Sequence, residues 1–372
     1  MNPRIQWWAP EIGEKEYDLV RKVLESNYLN EGEVTELFEK RLTSLLETKY
    51  AVATTSGTSA IFLALAGLGV GAGDEVIVPD VTFIATANAV TMTGARPILV
   101  DVDSATLTMD PEALLRAITP RTKAVVPVHV SGRAANLASI VEIARQHGLY
   151  VVEDAAEAFM SKLDGKCLGT FGVAGCISFS PNKTITTGQG GVVLTSDDRL
   201  NCRLRELKDQ GRPVRGTGGD DVHHSIGYNF KFTNLQAAVG LGQLHYLDSR
   251  LARMQDIYRW YACGLSGIDG ISLLGFHLER GESPQWTDAF VDRRDELDRF
   301  LAENGIHCRR FWFPIHTQAP YRLPDAAFPN STRMTRKALW LPSAFTLSEE
   351  DVAVVCQHVQ RFLGARVTVA NS

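Results

Sequence analysis

The stretch Tyr50-Ala51-Val52-Ala53-Thr54-Thr55-Ser56-Gly57-Thr58-Ser59-Ala60-Ile61-Phe62-Leu63-Ala64-Leu65 passes from a short apolar run, through a turn of small hydroxylated residues, into a longer apolar run. The first run has the length and Val content of a buried strand over 50–54, and the second predicts a helix over 59–68. The alternation continues outward. Segments 75–79, 97–101, 123–128 and 149–153 are again short, rich in Val and Ile and bounded by turn residues, with helical patterns over 82–93, 111–118 and 136–147 between them. Short Val- and Ile-rich strands alternating with helices predict an α/β fold with a parallel sheet covered on both faces. Ligands of such sheets bind at the carboxyl ends of the strands, so residues just after each strand are the candidates for chemistry.

Farther along, the pattern breaks at 210–229, where Gly211, Gly216, Gly218, Gly219 and Gly227 mix with charges of both signs. Long irregular segments inside compact domains are usually functional. A long helical region is predicted over 234 to about 265, followed by a strand at 288–291 and helices at 295–304 and 348–363. With 372 residues the chain is too long for one small core. We therefore expect a large domain over 1–245 and a smaller α+β domain over 246–372. The formal net charge of -5, without a basic cluster, excludes nucleic acid as an expected partner. The longest apolar stretch, 60–70, is too short to span a bilayer. The start, Met1-Asn2-Pro3-Arg4, lacks a signal peptide's apolar core, so a cytoplasmic location without membrane association is expected. The six cysteines form no CxxC pair, and His223-His224 is the only His pair, so no metal site is expected.

Three places carry candidate chemistry. At Ser56-Gly57-Thr58-Ser59 a strand opens directly into a helix, whose free N–H groups and dipole favour a phosphate. A plain helix cap by Thr58 or Ser59 explains the same residues. In Val152-Glu153-Asp154-Ala155-Ala156-Glu157 a strand ends in acids. Asp154 there can hold a cationic ring nitrogen, or simply cap the next helix. In Ser178-Phe179-Ser180-Pro181-Asn182-Lys183, followed by Gly188-Gln189-Gly190-Gly191, a lysine follows a strand and precedes a glycine turn. Lysine forms Schiff bases with carbonyl cofactors, although a lone lysine is more often a solvated one. A phosphate turn, a strand-end acid and a loop lysine are together the fixtures that pyridoxal phosphate requires.

With these motifs in order, the sequence resembles the DegT/DnrJ/EryC1/StrS sugar aminotransferases. The likeness also includes 79–89 (PDVTFIATANA), 227–238 (GYNFKFTNLQAA) and Phe313-Pro314-Ile315-His316, and spans nearly the whole chain. The resemblance implies the fold type I architecture of pyridoxal-phosphate enzymes: a large domain with a mostly parallel seven-stranded sheet, and a smaller α+β domain. It implies Lys183 as the Schiff-base lysine and proton shuttle, Asp154 as partner of the pyridine nitrogen, and Glu157 near the reacting centre. Phe83 would stack on the cofactor ring. Gly57, Thr58 and Ser178 would bind its phosphate, joined by Asn229 from the neighbouring subunit of a homodimer. His316 and Lys231 are the candidate substrate residues. The implied reaction moves an amino group from L-glutamate to a nucleotide-linked keto sugar. Glu157-Ala158-Phe159, where C3 and cyclitol enzymes often show Gln-Ala-His, is closer to the C4 enzymes of the GDP-perosamine synthase type. The family's dehydratases replace the lysine with His, which Lys183 argues against, and a non-catalytic regulatory relative is the rival from another class. Two departures stand out: Gln189 where the family usually has Glu, and Lys231 where it often has Arg, whose planar fork grips carboxylates.

Overall fold

The computed structural model describes residues 5–213 and 222–364. Met1 to Arg4 and the part of the glycine-rich segment holding Gly216, Gly218 and Gly219 lie outside the described residues. The chain begins with helices α1 (Glu14–Glu25) and α2 (Glu33–Leu46), then alternates β1 (Tyr50–Thr54), α3 (Gly57–Gly67), β2 (Glu75–Pro79), α4 (Ala85–Met92), β3 (Arg96–Val100), α5 (Pro111–Ala117), β4 (Thr122–Val125), α6 (Leu137–His147) and β5 (Tyr150–Asp154). A small hairpin, β6 (Lys162–Leu163) with β7 (Lys166–Cys167), precedes β8 (Ala174–Ser178), β9 (Gly191–Thr195) and α7 (Asp198–Lys208).

These strands form one seven-stranded sheet in the order β1-β9-β8-β5-β4-β2-β3. β2, β3, β4, β5 and β8 pair in parallel, while β9 is antiparallel to both of its neighbours, β8 and β1. β1 therefore runs the same way as the parallel set, and only β9 is reversed. The consequence for function is direct: β1, β5 and β8 present their carboxyl ends on one edge. β9 was not predicted. It is an apolar strand that begins at Gly191, directly after the lysine loop, and returns the chain along β8. Helix α3 packs against the sheet with Phe62, Leu63, Ala64 and Leu65 all buried, as expected of a helix apolar on every side.

The predicted single helix over 234–265 is two helices, α8 (Asn234–Leu244) and α9 (Leu247–Gly264). α8 is held close to its neighbours because Gly240 and Gly242 lack side chains: a Cβ would stand 2.7 Å from the Phe38 ring at Gly240, and 2.7 Å from Glu16 at Gly242. Tyr246, with φ -101° and ψ 3°, interrupts the helix and redirects the chain. α9 then leads to a second, four-stranded antiparallel sheet in the order β10 (Ile271–Leu273), β11 (Thr287–Val291), β13 (Ala338–Leu341), β12 (Arg309–Arg310). Helices α10 (Arg294–Glu303) and α12 (Glu349–Leu363) cover it through Leu297, Leu301, Val355 and Val359, and α11 (Pro329–Thr335) precedes β13. Ile5 packs in this second core and bridges Ile306, so the first described residue lies with the C-terminal sheet, across the boundary expected at 245/246.

Candidate active site

Three chain segments leaving the same sheet edge enclose a cavity of about 410 Å³. The turn after β1 contributes Ser56, Gly57 and Thr58; β5 and its extension contribute Asp154 and Glu157; β8 and the following loop contribute Ser178, Ser180 and Lys183. Strand alternation separates the acids of β5. Glu153 points away and is wholly buried, accepting bonds from the N–H groups of Gly169, Phe171 and Gly172 at 2.8, 2.6 and 2.7 Å and facing His129 Nε2 at 3.0 Å. His129 Nδ1 accepts the Ala135 N–H at 3.1 Å, which leaves the proton on Nε2. Asp154 turns to the cavity.

Two contacts hold the Asp154 carboxylate: Thr86 Oγ1 donates at 2.7 Å and the Ala156 N–H at 3.1 Å. Neither partner is a cation. Burial pushes its pKa up, more than those hydrogen bonds and the charge of Lys183 push it down. Glu157 accepts the Ser131 N–H at 3.0 Å and faces Lys183 Nζ at 3.3 Å. Burial raises its pKa to about 7, with Lys183 and the Ser131 N–H opposing the rise. Ser131 can deliver that N–H because its backbone is left-handed, φ 54°, a shape braced by Ser131 Oγ donating to Asp288 at 2.8 Å. Lys183 Nζ also lies 4.9 Å from the centre of the Trp286 ring.

At the start of α3 the capping residue is Ser56, rather than Thr58 or Ser59. Its hydroxyl accepts the Ser59 N–H, and the Ser59 hydroxyl accepts the Ser56 N–H in return. The N–H groups of Gly57 and Thr58, in the first turn, have no preceding helical carbonyl to bond. They border the cavity together with Ser178 and Ser180. Gly57 is needed for this closeness: a Cβ there would sit 2.9 Å from Ser178 Cβ and 3.2 Å from its hydroxyl.

The cavity thus gathers Gly57, Thr58, Phe83, Asp154, Glu157, Ser178 and Lys183, along with Gln189. Phe83 is 53% exposed there, which fits a ring-stacking surface and not a core residue. Asn229 and Lys231 are not among the lining residues. Asn229 is exposed, and Lys231 Nζ bonds Asp209 at 2.8 Å. His316 must be corrected as a substrate residue. It is 0% exposed, its Nδ1 is 2.6 Å from the Asp80 carboxylate at the end of β2, and its ring stacks on Phe328. Its role is to tie the second half of the chain to the large sheet. Arg309, Trp286 and Trp312, which no sequence motif singled out, line the cavity from the C-terminal sheet region. They sit in no local motif, and only the docking of that sheet brings them here.

Pyridoxal phosphate fits these residues. A helix start with two uncommitted N–H groups, two serine hydroxyls and a glycine-only approach suits a phosphate dianion. A buried carboxylate without a cationic contact suits a protonated ring nitrogen, and a cavity lysine suits an aldehyde.

The sequence matches the DegT/DnrJ/EryC1/StrS aminotransferase family over residues 10–360. It is 37% identical to the GDP-perosamine synthase of Escherichia coli O157:H7, over 95% of this chain and 97% of that one. The fold superposes on S. venezuelae DesV, solved in complex with a ketimine intermediate, with a TM-score of 0.92 and 33% identity over 98% of this chain and 100% of that one. DesI, solved in the presence of its TDP-sugar product, gives a TM-score of 0.89 at 29% identity over 98% and 93% of the two chains.

Proposed function

Because the chain belongs to the DegT/DnrJ/EryC1/StrS aminotransferase family, we propose that it moves an amino group from L-glutamate to C4 of a nucleotide-linked 4-keto-6-deoxy sugar. The enzyme is a pyridoxal-phosphate-dependent nucleotide-sugar aminotransferase. The observation that carries the chemistry is the Lys183–Glu157 pair, 3.3 Å apart above the buried Asp154 in one cavity. The choice of C4 and of a GDP sugar rests on the likeness to GDP-perosamine synthase and on Glu157-Ala158-Phe159.

Bound pyridoxal phosphate supplies an aldehyde for the lysine and a protonated ring that accepts electron density when the donor's Cα–H bond breaks. Gly57, Thr58 and Ser178 bind the phosphate. Asp154 keeps the proton on the ring nitrogen, and the cation it meets there compensates the burial of its charge. Phe83 covers the ring. Lys183 Nζ would take the proton from the donor's Cα and deliver it to the cofactor carbon that had carried the aldehyde. Glu157, whose pKa burial raises to about 7, stands 3.3 Å from Lys183 Nζ and balances a positive charge there when it is ionised.

Asn229, exposed and outside its own cavity, is assigned to the phosphate of the neighbouring site in a homodimer. Among the described residues no helix is long and apolar enough to cross a membrane, and the assigned location is the cytoplasm. The test is a visible spectrum of the loaded protein. L-Glutamate should bleach the yellow form, and GDP-4-keto-6-deoxymannose should restore it. No response to glutamate would overturn the donor; bleaching without recovery would move the acceptor to another nucleotide sugar or a cyclitol.

A further inference from the structure

Among the described residues lining the cavity, the cations are Lys183 and Arg309. Lys183 faces Glu157. Arg309 is half-buried, with its guanidinium 4.7 Å from the Trp7 ring centre and 5.5 Å from that of Trp340, and among the described residues it makes no ion pair or side-chain hydrogen bond. Its neighbour behaves differently. Arg310 is exposed and bonds Asp298 at 3.0 Å, with Asp295 at 3.6 Å. Adjacent residues of β12 point to opposite faces, so Arg310 meets α10 while Arg309 turns in over the indoles toward the cavity. Burial lowers the pKa of Arg309, and the charge of Glu157 opposes that shift, which places the two groups within electrostatic reach. A partly desolvated guanidinium without an anion is costly.

We propose that Arg309 receives the α-carboxylate of the amino donor. The assignment rests on the aminotransferase reading. The α-carboxylate sits on the same carbon as the amino group that reacts beside Lys183, so its receptor must stand on the wall near the Lys183–Glu157 pair. In the acceptor, the sugar ring separates the diphosphate from the C4 ketone, which places those anions farther from the reacting atoms. Lys231 is bonded to Asp209 and lies outside the cavity of its own chain. A planar guanidinium offers two parallel N–H groups to a carboxylate, and the indole faces restrict its swing. Arg309 also borders an adjoining cavity of about 260 Å³ with Thr82, Phe83 and Trp312. The acceptor's phosphates are therefore the competing anion that the experiment must separate.

The test uses the cofactor-loaded protein and two unreactive probes, glutarate and GDP-mannose, whose dissociation constants are read by calorimetry. It adds the rate of bleaching by L-glutamate. Arg309→Gln should weaken glutarate by at least about tenfold and lower kcat/KM for L-glutamate comparably, with GDP-mannose unchanged. Arg309→Lys, which keeps the charge without the fork, should recover part of the loss, and it decides the matter if Arg309→Gln fails to fold. Unchanged glutarate binding in the folded variants, or a loss confined to GDP-mannose, overturns the assignment. If wild type never responds to L-glutamate while glutarate binding still depends on Arg309, the donor is wrong and the carboxylate site stands.

Discussion

Replacing Glu157 by Gln tests whether its carboxyl is held neutral by burial. In the folded chain its pKa is about 7 against an ordinary 4.5. Folded Glu157 thus binds its proton more tightly than the unfolded chain does. Its stabilising contribution is fully present below about pH 4.5 and is lost as pH rises through about 7. A difference of about 2.5 units, at about 1.36 kcal/mol per unit, is about 3.4 kcal/mol across the whole range. Between about pH 5.5 and about pH 8 the two proton-binding curves leave about 2 kcal/mol of that to be lost. Gln has no such titration. Urea unfolding of cofactor-free wild type and Glu157→Gln, followed by tryptophan fluorescence at one protein concentration, should show the difference between them moving by about 2 kcal/mol in the variant's favour as pH rises over that window. A difference that stays constant over the window would mean that Glu157 is ionised throughout, and that burial does not govern its charge beside Lys183.

Lys183→Ala should abolish turnover with the circular dichroism spectrum retained; full activity would remove the lysine from the mechanism. Asp154→Asn should lower kcat by at least about a hundredfold, since a neutral amide cannot balance the ring proton, and a near-normal rate would mean the wrong acid was assigned. Gly57→Ala places a methyl 2.9 Å from Ser178 Cβ and must push the turn or the serine aside. Cofactor titration should then show at least about tenfold weaker pyridoxal phosphate binding, and unchanged affinity would exclude this turn as the phosphate cradle. Phe38, wholly buried with its ring centre 5.4 Å from that of Phe179 and 5.8 Å from that of Phe232, anchors α2 under the lysine loop. Its replacement by Ala should cost about 3–5 kcal/mol in urea unfolding, a loss that a surface position would not show.

Local chemistry decided a large share of this protein in advance. The strands 50–54 and 75–79 are legible because a short, mostly apolar run between turn residues has few other places to go than a covered sheet. Asp154, Lys183 and Gly57 are legible for a related reason: each sits in a short motif whose backbone shape follows from its own residues, at a strand end where parallel sheets bind ligands. Other features depend on what lies opposite. The break at Tyr246 goes with α8 being drawn against α1 and α2 at Gly240 and Gly242, while α9 runs on from there to the other core, which it enters at Ile257 and Tyr261. His316 looked like a ligand-facing residue in its motif, yet Asp80, 236 residues away, captures its ring in the interior. The raised pKa of Glu157 comes from burial in the assembled cavity and is moderated by an N–H from a left-handed Ser131, neither of which is written in residues 152–158. Arg309 is one of two adjacent arginines, indistinguishable by type. Only the pairing of β12 with β13 turns one toward Asp298 and the other over Trp7 and Trp340, because burial and charge compensation belong to the assembled fold and not to any segment of it.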